Sequence, residues 1–236
     1  LSDYHVTQVG KPLGSYFTYR KIGVFSSQEQ IDNAPTHPEQ GLGDYIFADT
    51  NGDDKITPDD KEISGDFFPD YTFGFSNTFK YKNFAFGFLI QGKQGYEIFN
   101  GTSFFIRNLE GWSNGHRDIS NYYSPSNPNA AYAHPGKHVK TYEQSDLLVE
   151  DGSYIRLRKV SLKYTLPQKL IEKMSIEKAK FYISANNLFT ITDYSGFNPE
   201  VSSRNNTFNN RTTTPGFDYG AYPIAKTIVF GVNLTL

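Results

Sequence analysis

The chain has 236 residues, 23 Lys and Arg against 25 Asp and Glu for a formal net charge of −2, no cysteine, and 16% aromatic residues with Phe 20 and Tyr 17. That balance argues against nucleic acid or another polyanion as partner, and the missing cysteines exclude thiol and disulfide chemistry. A mean hydropathy of −0.54 without an apolar run of about 20 residues excludes a helical membrane protein, but it leaves open a β-barrel whose strands show lipid only at every second residue.

Leu1 is followed by neither a basic nor an apolar leader, so any export signal is expected outside this chain. A first, weakly alternating strand is expected over Ser15 to Val24. Next comes Asp49-Thr50-Asn51-Gly52-Asp53-Asp54-Lys55-Ile56-Thr57-Pro58-Asp59-Asp60, the core of an EF-hand-like loop over residues 43–60. Calcium is a hard cation that takes oxygen ligands from alternate positions, a backbone carbonyl at the seventh and a carboxylate at the twelfth. Asp49, Asn51, Asp53, the carbonyl of Lys55 and Asp60 have that spacing, and Ca²⁺ is the expected structural ion. The sixth position is Asp54 in place of Gly, which Asp tolerates at positive φ, and the twelfth is Asp60 in place of Glu. The alternative is an acidic turn held by Asx hydrogen bonds.

Tyr71, Phe73, Phe75, Phe79 and Tyr81 line one side of a strand with Thr72, Gly74, Ser76, Thr78 and Lys80 on the other. Phe84, Phe86, Phe88 and Ile90 then alternate with Ala85, Gly87, Leu89 and Gln91, so the two strands form a tight hairpin with a Phe-rich face. The long segment 92–152 carries Trp112, Tyr122 and Tyr123 among Asn, Ser and Pro, candidates for stacking on a sugar or peptide, although such a loop also needs aromatics to pack on itself. His134 and His138 stand four apart, but Pro135 and Gly136 between them oppose a metal-binding helix. From Ser153 to Thr165 the apolar phase slips between Leu157 and Val160, which a bulge near Arg158 and Lys159 reconciles. A helical turn follows Pro167 over Gln168 to Met174, alternation returns from Ala179 to Asn187, and Ile228, Phe230, Val232, Leu234 and Leu236 mark a final strand.

These segments amount to about six strands of an all-β, transmembrane antiparallel barrel. Short links near Tyr81 to Asn83 and Leu166 to Glu177 alternate with long ones at 26–70, 92–152 and 191–225, as periplasmic turns alternate with external loops in such barrels. No hydrolase, zinc-protease, P-loop or dinucleotide fingerprint occurs, and no carboxylate pair is singled out, so no enzyme activity is expected.

Several motifs in order then carry a family resemblance. They are Gly43-Asp44 with the acidic loop, Pro69-Asp70-Tyr71-Thr72-Phe73-Gly74, Glu150-Asp151-Gly152-Ser153-Tyr154-Ile155-Arg156-Leu157, Tyr164-Thr165-Leu166-Pro167, Asn186-Asn187-Leu188-Phe189, Asn198-Pro199-Glu200 and Tyr222-Pro223. Through them the chain resembles, over residues 1–236, the C-terminal part of SusC/RagA-type TonB-dependent transporters of Bacteroidetes. The family usually has Asp where this chain has Asn198 and a terminal Phe where it has Leu236. The resemblance implies a bacterial outer-membrane barrel completed by further strands in the lipid bilayer, with an N-terminal plug through which TonB acts and a SusD-like lipoprotein lid. It also implies import of an oligosaccharide or peptide. A rival reading is a secreted, calcium-stabilised β-sandwich that binds carbohydrate, in which the Phe-rich face would be covered by protein.

Overall fold

The computed structural model describes residues 4–37, 40–107, 114–136, 144–172, 176–201 and 215–235. Along them run β1 (His5–Val6), β2 (Ser15–Thr18), β3 (Lys21–Val24), α1 (Gln28–Asn33), β4 (Tyr45–Phe47), β5 (Glu62–Gly65), β6 (Tyr71–Tyr81), β7 (Phe84–Gln94), β8 (Glu97–Asn100), α2 (Gly101–Arg107), β9 (Val149–Asp151), β10 (Tyr154–Thr165), α3 (Gln168–Ile171), β11 (Lys178–Thr192), β12 (Phe217–Asp218) and β13 (Thr227–Thr235). No helix among the described residues is long and apolar enough to cross a membrane. The chain divides into two compact units, one of residues 69–95, 152–199 and 222–236, the other of 1–68, 96–151 and 200–221.

The first unit is built on one five-stranded antiparallel sheet in the order β13-β11-β10-β7-β6. Alternation along the strands, interrupted at one bulge, sorts their side chains by face. Phe79 faces Phe86, Phe86 faces Leu162, Leu162 faces Ile183, and Ile183 faces Phe230, a single apolar row across all five strands. One residue along, the row reads Lys80, Ala85, Lys163, Tyr182 and Gly231 on the opposite face. The register of β10 shifts at Arg158 against both neighbours, so Ile155 and Leu157 share the apolar face with Val160, Leu162 and Tyr164, as the phase slip in the sequence requires. In β11, Asn187 answers the bulge with a φ of 54°; its side-chain oxygen accepts from Arg158 at 3.2 Å, and its amide donates to the Ala225 carbonyl at 3.1 Å.

The links at one end of this sheet are tight. Lys82 and Asn83 alone join β6 to β7, Lys82 at a φ of 50°; Asn83 ties the turn to β10 by donating from its side chain to the Thr165 carbonyl at 2.7 Å. Between β10 and β11 the helical turn expected over Gln168 to Met174 is α3 across Gln168–Ile171; residues 173–175 lie outside the described ones. At the other end of the sheet the strands run into the long insertions.

The apolar row is not covered. Phe79 is 57% exposed, Phe86 41%, Leu162 42%, Ile183 38% and Phe230 75%. Fully burying a side chain of this size is worth about 1.5–3 kcal/mol, so five left about half exposed forgo roughly 5 kcal/mol, a large share of what holds a domain together.

The second unit holds the buried core. Tyr16, Tyr19, Tyr45, Phe47, Ile56, Phe99, Ala133 and Leu148 form one cluster, around which lie three small sheets: β1-β2-β5, β12-β8-β9 and β3-β4. Tyr16 is fully buried and donates its hydroxyl to the Gly216 carbonyl at 3.0 Å; Phe99 stacks on Phe217 at 5.1 Å between ring centroids. The expected strand at Ser15 to Val24 belongs here and is two strands, β2 and β3, in different sheets. Its alternation is blurred because Ser15, Tyr16 and Thr18 are all buried, the two hydroxyls bonding to the Pro12 carbonyl and to Ser64. The described residues therefore show five long strands in one sheet, not six.

Candidate functional site

The acidic loop between β4 and β5 is wound on its own carboxylates. Asp49 accepts from the amides of Gly52 at 2.6 Å and Asp54 at 2.9 Å, Asn51 from Asp53 at 2.9 Å, and Asp53 from Lys55 at 3.0 Å. These are the Asx turns of the alternative reading, and they curl the chain into a loop whose oxygens converge. Asp54 takes a φ of 60°, the conformation its position needs. Asp60 caps the following 3-10 turn together with Thr57, accepting from the amides of Thr57 at 2.7 Å and Thr50 at 3.0 Å. Burial disfavours its charge, yet donors from Thr57, Thr50 and Asn51 and the contact with Asp49 outweigh that and hold its carboxyl below the usual carboxylate range.

The outcome is that one carboxylate oxygen each of Asp49, Asp53 and Asp60 lies within 4.8 Å of the others. Three hard anionic donors at that spacing match a calcium ligand set, and they repel each other without a cation. Of the five expected ligands, the carboxylates converge. The side-chain oxygen of Asn51 and the amide of Lys55 serve the turns.

The aromatic candidates separate. Trp112 lies outside the described residues. Tyr123 is buried at 7% exposure and packs over Gly43, where a Cβ would come within 2.6 Å of both its ring and the His134 Cβ. Gly43 also has a φ of 86°, so the position needs glycine twice over. Tyr122 is 39% exposed, the more accessible of the two described candidates. Nearby, Asp118 gathers Arg107 Nε at 2.7 Å, His116 Nδ1 at 2.7 Å and the Tyr132 hydroxyl at 3.2 Å. Burial opposes that carboxylate, but its donors keep its pKa below the ordinary value. Arg107 also donates to the Ser103 hydroxyl at 2.7 Å, so the group pins α2 to its loop and offers no free nucleophile.

Comparison with known proteins decides the assignment. No family model matches the chain. It is 34% identical over 230 residues to a TonB-dependent receptor of Formosa agariphila, a match covering 97% of this chain and 23% of that protein. A second receptor of that organism is 33% identical over 233 residues, 96% of this chain and 23% of its own length. The chain belongs to the SusC/RagA-type TonB-dependent receptors. The TonB-dependent receptor SusC of Bacteroides thetaiotaomicron is 25% identical over 229 residues, 96% of this chain and 20% of SusC. The segment thus spans about a quarter or less of the curated relatives it matches. The RagAB peptide importer in its open-open state has the same fold, with a TM-score of 0.77 over 100% of this chain and 24% of that chain at 21% identity; the closed-closed state gives 0.75 over 99% and 24% at 22%.

Sequence reasoning overlooked two features of this receptor segment. Arg156, on the polar face of β10, is 2% exposed and donates to Thr190 at 2.7 Å and Asn198 at 3.0 Å. The resemblance had marked Asn198 only as a departure; here it fastens the loop after β11 to the sheet. The second is the sign of the charges on the five long strands, six Lys and two Arg with no Asp or Glu, which the whole-chain balance averaged away.

Proposed function

We propose that this segment is part of the wall of a bacterial outer-membrane β-barrel that imports nutrients, oligosaccharides or peptides, with energy delivered by TonB through a plug elsewhere in the receptor. One observation carries the reading: a five-stranded meander with a continuous, uncovered apolar face, a polar face behind it, tight turns at one end and long insertions at the other. Hydrocarbon satisfies the first face, a watery lumen the second, and the asymmetry of links gives periplasmic and external ends. The rival β-sandwich would need protein over Phe79, Phe86 and Phe230, which are exposed. A SusD-like lipoprotein is the proposed partner on the external side, since SusC and RagAB stand among the relatives. The loop of Asp49, Asp53 and Asp60 is proposed to hold Ca²⁺ that stiffens an external loop, with Asn51 and the Lys55 carbonyl completing the ligands.

The test is the behaviour of the full-length receptor. It should fractionate with the outer membrane, require detergent for extraction, and migrate faster on an SDS gel unheated than boiled. Release into aqueous buffer as a monodisperse protein would overturn the barrel.

A further inference from the structure

Three Asn-Gly steps occur in the chain, Asn51-Gly52, Asn100-Gly101 and Asn114-Gly115. Glycine after asparagine is a pairing open to spontaneous modification, because no side chain hinders the glycine nitrogen from reaching the Asn Cγ. The nitrogen gives up its proton to water and attacks Cγ; a C–N bond forms, the bond from Cγ to the side-chain nitrogen breaks, and ammonia leaves. Water then opens the ring at either carbonyl, giving aspartate or isoaspartate, in which the main chain runs through the side-chain carboxyl. Water is the only co-reactant, so each step is decided by whether the fold lets the nitrogen and the side chain meet.

The structure sorts the three. Asn100 is 2% exposed; its side-chain oxygen accepts from the Ser103 amide at 2.9 Å, its side-chain nitrogen donates to Glu150 at 2.8 Å, and Gly101 opens α2, so neither partner can turn. Asn114 and Gly115 are exposed, and among the described residues neither makes a hydrogen bond. Asn51 and Gly52 are also exposed, yet they are held. The Gly52 amide donates to Asp49 Oδ1 at 2.6 Å, and Asn51 Oδ1 accepts from the Asp53 amide at 2.9 Å. The charge of Asp49 opposes an amide anion at Gly52, and the ring closes only if the Asn51 side chain leaves its turn.

We propose that Asn51-Gly52 is a conditional site of backbone modification: the Asp49 carboxylate restrains the glycine amide, and its release commits Asn51 to irreversible deamidation. Isoaspartate at Asn51 would add one carbon to the main chain between Asp49 and Asp53 and turn an amide oxygen into part of the chain, so a loop that has reacted does not rewind into the same turns. Nothing in this chemistry depends on transport or on a bound cation.

The experiment follows Asn51 and Asn114 in the folded full-length receptor in detergent at mildly alkaline pH. Peptide mapping reads the mass gained when an amide becomes an acid, enzymatic methylation reads isoaspartate, and each rate is divided by that of a short peptide of the same sequence. On that scale Asn51 should react at least about tenfold more slowly than Asn114, as the loss of a hydrogen bond to a charged acceptor requires, and Asn100 should stay intact. Asp49→Ala should bring Asn51 up to the rate of Asn114. Asp53→Ala removes another of the three converging carboxylates but leaves Gly52 in the hold of Asp49, and should keep Asn51 slow. Heat-dependent gel migration checks that both variants keep the fold. Asn51 reacting as fast as Asn114 in the unaltered receptor, equal acceleration by the two variants, or an Asp49→Ala receptor in which Asn51 stays slow would each overturn the proposal and leave the import reading untouched.

Discussion

His5 shows how burial sets the response of a single residue to pH. It is 4% exposed, with its ring 5.2 Å from Tyr16, and burial, opposed in part by a hydrogen bond with the Pro215 backbone, lowers its pKa from 6.5 to about 4. Between those values the unfolded chain binds the proton and the folded chain does not, so stability rises with pH across that window. Acidification from pH 6.5 towards 4 should therefore cost the aromatic core up to about 3 kcal/mol, read as a falling melting temperature of the near-ultraviolet signal. A His5→Phe variant should flatten that part of the slope; an unchanged slope would refute the assignment. Asp60 was legible in the sequence as a twelfth-position ligand. Its second task, capping the turn at Thr57 and closing on Thr50, was not, because both depend on how the loop closes. Asp60→Ala leaves two amides in a buried place without acceptors, at about 1–3 kcal/mol each, and should expose the loop to protease even in calcium.

Among the elements, the long strands were readable from period-two alternation alone, and the bulge of β10 was readable because the apolar phase breaks there while residues remain strand-like. The segment Ser15 to Val24 misled because a strand buried on both sides has no reason to alternate, and its polar residues are satisfied by distant partners such as Ser64. The apolar row of the sheet makes a prediction at this scale. Phe86→Arg, two residues from the tight turn and so off the midplane, should destabilise folding into detergent micelles by about 1–2 kcal/mol. Thr78→Arg, on the polar face next to Phe86's cross-strand partner Phe79, should cost much less. Equal penalties for the two would mean that both faces meet the same surroundings.

Across the molecule, the contrast lies in where apolar side chains find cover. The unit with residues 1–68, 96–151 and 200–221 buries Tyr16, Phe47, Ile56, Phe99 and Leu148 in its own core, whereas the other unit leaves most of its large apolar side chains exposed. On the proposed barrel reading, one unit is covered by its own core and the other by a surrounding apolar phase. The two should answer different reagents in the full receptor. On the proposal that Ca²⁺ offsets the mutual repulsion of Asp49, Asp53 and Asp60, chelation should speed proteolysis near residues 49–60 and lower the melting temperature of the aromatic core. The heat-dependent gel shift, which reports the sheet, should stay where it was. Detergent removal should act in reverse, aggregating the receptor while calcium protection of the loop persists. If chelation abolished the gel shift, or left the loop equally resistant to protease, the proposed cation would have no structural role in this loop.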